Sequence, residues 1–284
     1  VLAGAAADER RDPASLTKLM TAYLAFGALR AKTIVPSQMV NVSERAWKAE
    51  GSRMFIEPKR AVSVDELLRG MIVQSGNDAS IILAEAIAGS EDGFAQAMNK
   101  EAQRLGMKNS QFRNATGLPD PQHYTTARDL SVLSARLIND FPDYYAKYYS
   151  KRDYTYNNIK QPNRNRLLAI DPTVDGVKTG HTDAAGFCLI ASARREQPGA
   201  GFTRRLLSVV LGTASESARA IESQKLLNYG YQAFDAVKVF GKGQSANSYE
   251  VWKGTTRQVA AGFDQDVIVT VAKGQTDKLK ADIE

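Results

Sequence analysis

Residues 13–30 read PASLTKLMTAYLAFGALR. Pro13 suits the first position of a helix, where its missing N–H would be unpaired anyway. Leu16, Leu19, Met20, Tyr23 and Leu24 recur at the three-and-four spacing of a buried helical face. Ala22, Ala25 and Phe26 fall outside that stripe, so the predicted helix is apolar nearly all round and belongs in the middle of a domain. Its longest apolar run, Leu19 to Leu29, lies between Lys18 and Arg30 and is too short to cross a bilayer, which takes about 20 residues.

Outward from this helix, residues 64–73 and 78–88 predict two more, interrupted at Ser75-Gly76-Asn77. Helical patterns continue through 91–105 and 126–139. The stretch 141–166 is rich in Tyr, Asn and Arg with little periodicity and predicts irregular structure with short strands. From Val174 the texture changes. Val174 to Lys178, Gly186 to Ala193 and Arg205 to Gly212 are apolar, β-branched runs broken by Gly, which predict three antiparallel strands. A helix over 214–229 follows. Helices first and strands later, without strict alternation, give an α+β fold class. After Phe234, three short stretches alternate with period two: Val237 to Phe240, Tyr249 to Trp252 and Asp266 to Val271. They predict a small all-β piece, so the expected domains are 1–235 and 236–284.

The totals narrow the function classes. The 284 residues are 43% hydrophobic and 24% charged, which is ordinary for a folded chain. A net charge of +6 and a sequence pI near 9.3 suit anionic surroundings or a plain solvated basic surface. No zinc-finger, RNA-binding or basic-helix signature accompanies that charge, so no nucleic acid is expected as a partner. The single cysteine, Cys188, lies in an apolar run and reads as a buried structural thiol. Val1 begins without the charged and apolar regions of a signal peptide, so the reading is a soluble chain or the mature piece of a secreted one.

Three short motifs carry the chemistry, in order: Ser15-Leu16-Thr17-Lys18, Ser75-Gly76-Asn77 and Lys178-Thr179-Gly180. Each alone is weak. A serine hydroxyl is a poor nucleophile at neutral pH and needs a nearby base. Spaced i, i+3 in a first helical turn, Ser15 and Lys18 share one face. A lysine becomes a base only if desolvation or a neighbouring cation lowers its pKa from about 10.4. The apolar helix offers the first, and Lys178 offers the second if the fold brings it close. Ser75 would relay a proton between lysine and leaving amine. Asn77 either caps the following helix or orients Lys18 and a substrate amide. Lys178 and Thr179 would hold a terminal carboxylate at a strand edge, and Gly180 would let another backbone approach. Backbone N–H groups at Ser15 and near His181 are the candidate oxyanion donors.

At these residues the sequence resembles a known family. Asp12 to Thr21, Ile72 to Ala79, Asn163-Arg164-Asn165, Val174-Asp175-Gly176 and Lys178 to Thr182 resemble the motif regions of the low-molecular-mass penicillin-binding proteins. More narrowly, they resemble the serine D-Ala-D-Ala carboxypeptidases of the penicillin-binding protein 5 and 6 type. The resemblance implies a transpeptidase/β-lactamase-like domain, a helical cluster plus an antiparallel sheet, followed by a small β-rich domain. It implies removal of the terminal D-alanine from peptidoglycan stem peptides, with no cofactor and no metal. β-Lactam antibiotics are implied as covalent ligands on Ser15. A periplasmic location is implied, peripheral on the inner membrane through a C-terminal amphipathic helix. By position, Ser15, Lys18 and Ser75 are the implied catalytic residues. Asn77, Lys178, Thr179, Gly180, His181 and Arg219 are the implied substrate-binding residues. Arg219 also reads simply as a surface arginine at a helix start. The family's first strands and its anchor helix have no counterpart here, so the expectation is that N-terminal strands are missing and the β-piece is incomplete.

Three alternatives stay open at this level. A His-based serine triad would have to use His123 or His181, and no Gly-x-Ser-x-Gly elbow is present. A β-lactamase shares the acylation machinery but needs rapid deacylation, in one class through a glutamate for which no position is assignable. A non-catalytic receptor for β-lactams or cell-wall peptide would keep the Ser-x-x-Lys pair.

Overall fold

The computed structural model describes residues 1–280. Two compact units emerge: Val1–Ala193 with Leu207–Leu226, and Arg194–Leu206 with the residues from Leu227 on.

The first unit opens with a 3-10 turn, Ala14–Thr17, that runs directly into helix α1, Lys18–Arg30. A two-residue strand β1, Met39–Val40, pairs antiparallel with β2, Val62–Ser63, and the short helix α2, Glu44–Trp47, lies between them in sequence. Four longer helices follow: α3, Val64–Val73; α4, Asn77–Ala88; α5, Glu91–Leu105; and α6, Ala127–Asp140. Next come α7, Pro142–Tyr148, the hairpin β3–β4, Asp153–Tyr156 with Ile159–Pro162, and the short α8, Leu167–Ile170. Strands β5, Val174–Thr182, β6, Gly186–Glu196, and β7, Thr203–Thr213, form a sheet in that order, with β5 antiparallel to β6. Helix α9 runs over Glu216–Ala233.

The local reasons for these elements are explicit. Ser63 and Glu66 close a capping box on α3, which satisfies two N–H groups at its start. Ser90 and Thr126 cap α5 and α6 through their side-chain oxygens. Between α3 and α4 the chain turns through Ser75 at φ +65, a conformation that costs a β-carbon residue about 1–3 kcal/mol and concentrates at functional sites. Helix α1 is buried nearly all round, as its composition predicts: Leu19, Met20, Ala22, Tyr23, Ala25, Phe26 and Leu29 are all in the core. Phe26 stacks on Tyr144 and Tyr148 and meets Phe141 and Tyr149 edge-on.

That aromatic cluster accounts for one difference from the sequence expectation. The irregular stretch over 141–166 contains the helix α7 and a regular hairpin. Seven residues with tyrosines on several faces hide a helical period, although Pro142 at the first position marks the start.

In the second unit, β8, Phe234–Phe240, pairs antiparallel with β11, Val267–Ala272. Strand β9, Ser245–Glu250, pairs antiparallel with β10, Gln258–Gly262. The sequence predicts three strands here. The fourth, QVAAG, is too short and small-sided to show alternation.

Candidate active site

The 3-10 turn sets the first pair of reactive groups. Side chains at i and i+3 nearly eclipse in such a turn. Ser15 lies in it and Lys18 begins α1, with Lys18 Nζ 2.9 Å from Ser15 Oγ. The turn is pinned from three sides. Asp12 Oδ1 accepts the Ala14 N–H at 2.7 Å, and Asp12 Oδ2 accepts from the Thr182 hydroxyl at 3.3 Å. A β-carbon on Gly117 would collide with the Ala14 carbonyl, and one on Gly180 would lie 3.2 Å from the Pro13 carbonyl oxygen. Ala14 itself takes φ +46. The second glycine is the one whose bare backbone the sequence reading ties to close approach.

Lys18 is 1% exposed and bonds three oxygens. Besides Ser15 Oγ, these are Asn77 Oδ1 at 2.7 Å and the Thr116 carbonyl at 2.6 Å. A neutral amine satisfies all three contacts if it donates to the two fixed acceptors and receives the Ser15 proton on its lone pair. Burial, first, and the Arg164 guanidinium lower the Lys18 pKa to about 7, against the opposite pull of Asp78 and Glu91.

Helix α4 delivers the second motif. Gly76 is its N-cap, and the Asn77 side chain does not cap it. Asn77 instead donates from Nδ2 to the Glu50 carbonyl at 2.6 Å while Oδ1 receives Lys18. Of the two sequence readings for Asn77, the geometry matches orientation of Lys18. Ser75 is buried, and its Oγ receives Lys178 Nζ at 2.9 Å. Strand β5 carries that lysine in beside the 3-10 turn. Lys178 also donates to the Thr179 carbonyl at 3.0 Å. Burial, then Lys18, Arg164 and Arg219, push the Lys178 pKa well below the usual lysine value. Two amines in one dry crevice repel each other, so the pair resists holding two protons at once.

Gly180 sits behind this group, and its carbonyl accepts from Arg219 Nη1 at 3.3 Å. Arg219 is buried rather than lying on the surface, with Glu216 beside it and its guanidinium over the Phe187 ring. Its Nη2 also reaches the Arg164 carbonyl at 3.5 Å. Thr179 is buried, whereas His181 is exposed and lies over Phe187 with centroids 3.9 Å apart. Ser15, Lys18 and Asn77 thus form one hydrogen-bonded group and Ser75, Lys178 and Thr179 another, Gly180 lies against the Pro13 carbonyl and receives Arg219, and His181 follows on β5, exposed.

His123 is placed elsewhere in the chemistry. Its Nδ1 accepts the Arg113 N–H, so Nε2 carries the proton and donates to Thr17 Oγ1 at 2.9 Å. Burial lowers its pKa to about 4. It braces the Ser-x-x-Lys segment as a neutral ring and makes no bond to Ser15, which removes the geometry a His-based triad requires. Cys188 is buried, and burial raises its pKa, as an inert thiol requires. Sequence reasoning missed Thr116, whose contribution is a backbone oxygen, and Asp12, whose carboxylate ties the nucleophile turn to the end of β5.

Residues 1–215 match the family described as D-alanyl-D-alanine carboxypeptidase. Residues 234–284 match the family described as penicillin-binding protein 5, C-terminal domain. A D-alanyl-D-alanine carboxypeptidase of Haemophilus influenzae is 42% identical over 279 residues, covering 96% of this chain and 69% of the relative. The crystal structure of penicillin binding protein 5 from that organism aligns with a TM-score of 0.90 at 41% identity, over 98% of this chain and 80% of that one. Penicillin-binding protein D2 of Listeria monocytogenes, solved in an ampicillin-bound form, aligns with a TM-score of 0.72 at 31% identity, over 81% of this chain and 91% of that one.

Proposed function

The chain belongs to the D-alanyl-D-alanine carboxypeptidase family of serine peptidases, and from that premise we propose that it removes the terminal D-alanine of peptidoglycan stem peptides through an acyl-enzyme on Ser15. The observation that carries this reading is Lys18: a buried amine with a pKa near 7, one hydrogen bond from the serine. It supplies a base at a serine that is hydrogen-bonded to this amine and to neither histidine.

The steps follow from the residues. Neutral Lys18 takes the Ser15 proton as Oγ attacks the carbonyl of the penultimate D-alanine. The oxyanion that forms is stabilised by the N–H groups of Ser15 and His181, a kind of interaction worth about 3–4 kcal/mol per donor in other enzymes. The Ser75 hydroxyl passes a proton to the leaving amine and is reprotonated by the Lys178 ammonium bonded to it, the C–N bond breaks, and free D-alanine departs. Arg219 and Thr179, with Lys178 between them and Ser75, favour a substrate that ends in a carboxylate. Water then attacks the ester; in this deacylation the water's proton returns to Lys178 through Ser75 and Lys18 gives its proton back to Ser15.

β-Lactams carry an amide and a carboxylate in a comparable arrangement, so they acylate Ser15 and block the site. Listeria penicillin-binding protein D2 with ampicillin supports that reading by likeness. We read the enzyme as periplasmic and peripheral on the inner membrane, acting in cell-wall maturation and cell shape. No helix among the described residues is long and apolar enough to cross a membrane.

Intact-mass spectrometry after penicillin treatment tests the assignment. One covalent adduct is expected, mapped to the peptide that holds Ser15, and Ser15→Ala loses both the adduct and D-alanine release. A Ser15→Ala protein that still labels would overturn it.

A further inference from the structure

Asp78 has no part in the steps above, yet its carboxylate is fully buried beside them. It stands in the first turn of α4, directly after Asn77. Within its own helix it bonds only the Ala79 N–H, at 2.9 Å. Its other donors come from an earlier segment. Met54 N–H reaches Oδ1 at 3.0 Å and Oδ2 at 3.1 Å, Phe55 N–H reaches Oδ2 at 3.0 Å, and Ile56 N–H reaches it at 3.4 Å. Three consecutive backbone donors thus converge on one carboxylate, a pattern that a helix-terminal acid does not need for capping.

The other end of the same segment is tied to Asn77. The Asn77 N–H donates to the Ser52 carbonyl at 2.7 Å, and Nδ2 donates to the Glu50 carbonyl. No room is left between the layers: a β-carbon on Gly76 would lie 2.8 Å from Asp78 Oδ1 and 3.2 Å from the Met54 nitrogen, and one on Gly51 would lie 2.9 Å from Asn77 Nδ2. Residues 50–56 therefore form a strap fastened to Asn77 at one end and Asp78 at the other.

The strap decides which way the Asn77 amide faces. Because Glu50 holds Nδ2, Oδ1 is the atom left for Lys18. A flipped amide would present its NH2 to the amine and remove one of the two acceptors that keep the Lys18 lone pair aimed at Ser15.

We propose that Asp78 is a positioning residue for acylation, holding the 50–56 strap so that the Asn77 amide stays turned toward Lys18. The proposal rests on the reading of Lys18 as the base.

The test is the second-order rate of penicillin acylation in Asp78→Asn, Asn77→Ala and the double variant, well below each protein's melting temperature. Asp78→Asn is expected to acylate at least about tenfold slower while folded, and to add less than about twofold in the Asn77→Ala background, since both act through one amide. A folded Asp78→Asn that acylates at the unmodified rate overturns the proposal, as does an equal loss in both backgrounds. An Asn77→Ala protein with undiminished acylation overturns the proposal alone, whereas a folded Lys18→Ala protein that still acylates at the unmodified rate overturns the base reading and the proposal with it, so the two failures are distinguishable. If Asp78→Asn does not accumulate as folded protein, amide exchange in the unmodified chain decides: Met54 and Phe55 amides protected at least about 100-fold are required, and open-loop exchange overturns the strap.

Discussion

Ser15 and Lys18 meet because the chain is still in a 3-10 turn at the serine and becomes α-helical only at the lysine. A fully α-helical start would stagger the two side chains further round the axis. The lysine is then enclosed so thoroughly that its charge is costly, which lowers its pKa and leaves an unprotonated amine available near neutral pH. The consequence is a pH dependence with a definite sign. With Lys18 as the proposed base, the unprotonated amine is the active form and its fraction grows as pH rises, so the acylation rate in the free enzyme is expected to climb through about pH 7 and level off above it. Stopped-flow acylation by a chromogenic β-lactam at constant ionic strength measures it, and a rate flat from acid to alkaline pH would count against a lysine base. The side chains of this site were legible in the sequence because three weak motifs in fixed order are jointly specific. What was not legible shares one property. Each of these contacts has a backbone atom on one side, the Thr116 carbonyl that receives Lys18 and the N–H groups that Asp12 and Asp78 accept, and a backbone atom leaves no mark in residue type.

At the level of elements, α1 carries both the chemistry and the core. Phe26 touches four aromatic rings from the α6–α7 region, each pair within ordinary ring-contact geometry. Truncating it removes a large buried ring and leaves a cavity between elements that cannot collapse together, so Phe26→Ala is expected to cost about 3–5 kcal/mol of stability. Calorimetric or denaturant unfolding checks this, and a loss under about 1 kcal/mol would mean that the cluster repacks. The helices of the first unit were readable because their apolar residues keep a clear period over ten or more positions. The break between α3 and α4 was readable because Ser75-Gly76-Asn77 interrupts that period. Helix α7 was not, since seven residues with tyrosines on several faces present no stripe. Strand β10 was not, since its alanines and glycine carry too little contrast between faces. The arrival of Lys178 beside Ser75 lies at a different level again. It depends on a pairing between distant segments, which local periodicity does not encode.

For the molecule as a whole, the same burial that tunes the site sets how it tolerates acid. His123 is enclosed as a neutral ring between Thr17 and the Arg113 backbone, with the Phe112 ring edge-on. Burial lowers its pKa to about 4, Asp120 opposes that change, and Arg113 and Lys18 reinforce it. The unfolded chain binds this proton near the ordinary histidine pKa of about 6.5, so between the two values the unfolded state holds more protons than the folded one. Stability contributed at this site is therefore complete above about pH 6.5 and is lost as pH falls through about 4. Each tenfold difference in proton affinity between the two states is worth about 1.4 kcal/mol, so the loss amounts to about 3 kcal/mol. Asp65 follows the same sign in a lower window, because its bonds to Lys147, Tyr148 and Arg69 outweigh its burial and hold its pKa at about 2. A glutamine at position 123 keeps a donor for Thr17 and an acceptor for the Arg113 N–H without the titration. Melting temperatures of the unmodified chain and His123→Gln, recorded from pH 7 to pH 4, should converge or cross as the pH falls, with the variant showing the shallower decline. Parallel declines would mean that His123 does not hold off its proton in the folded state, and that the brace it gives to the Ser15–Lys18 segment survives protonation.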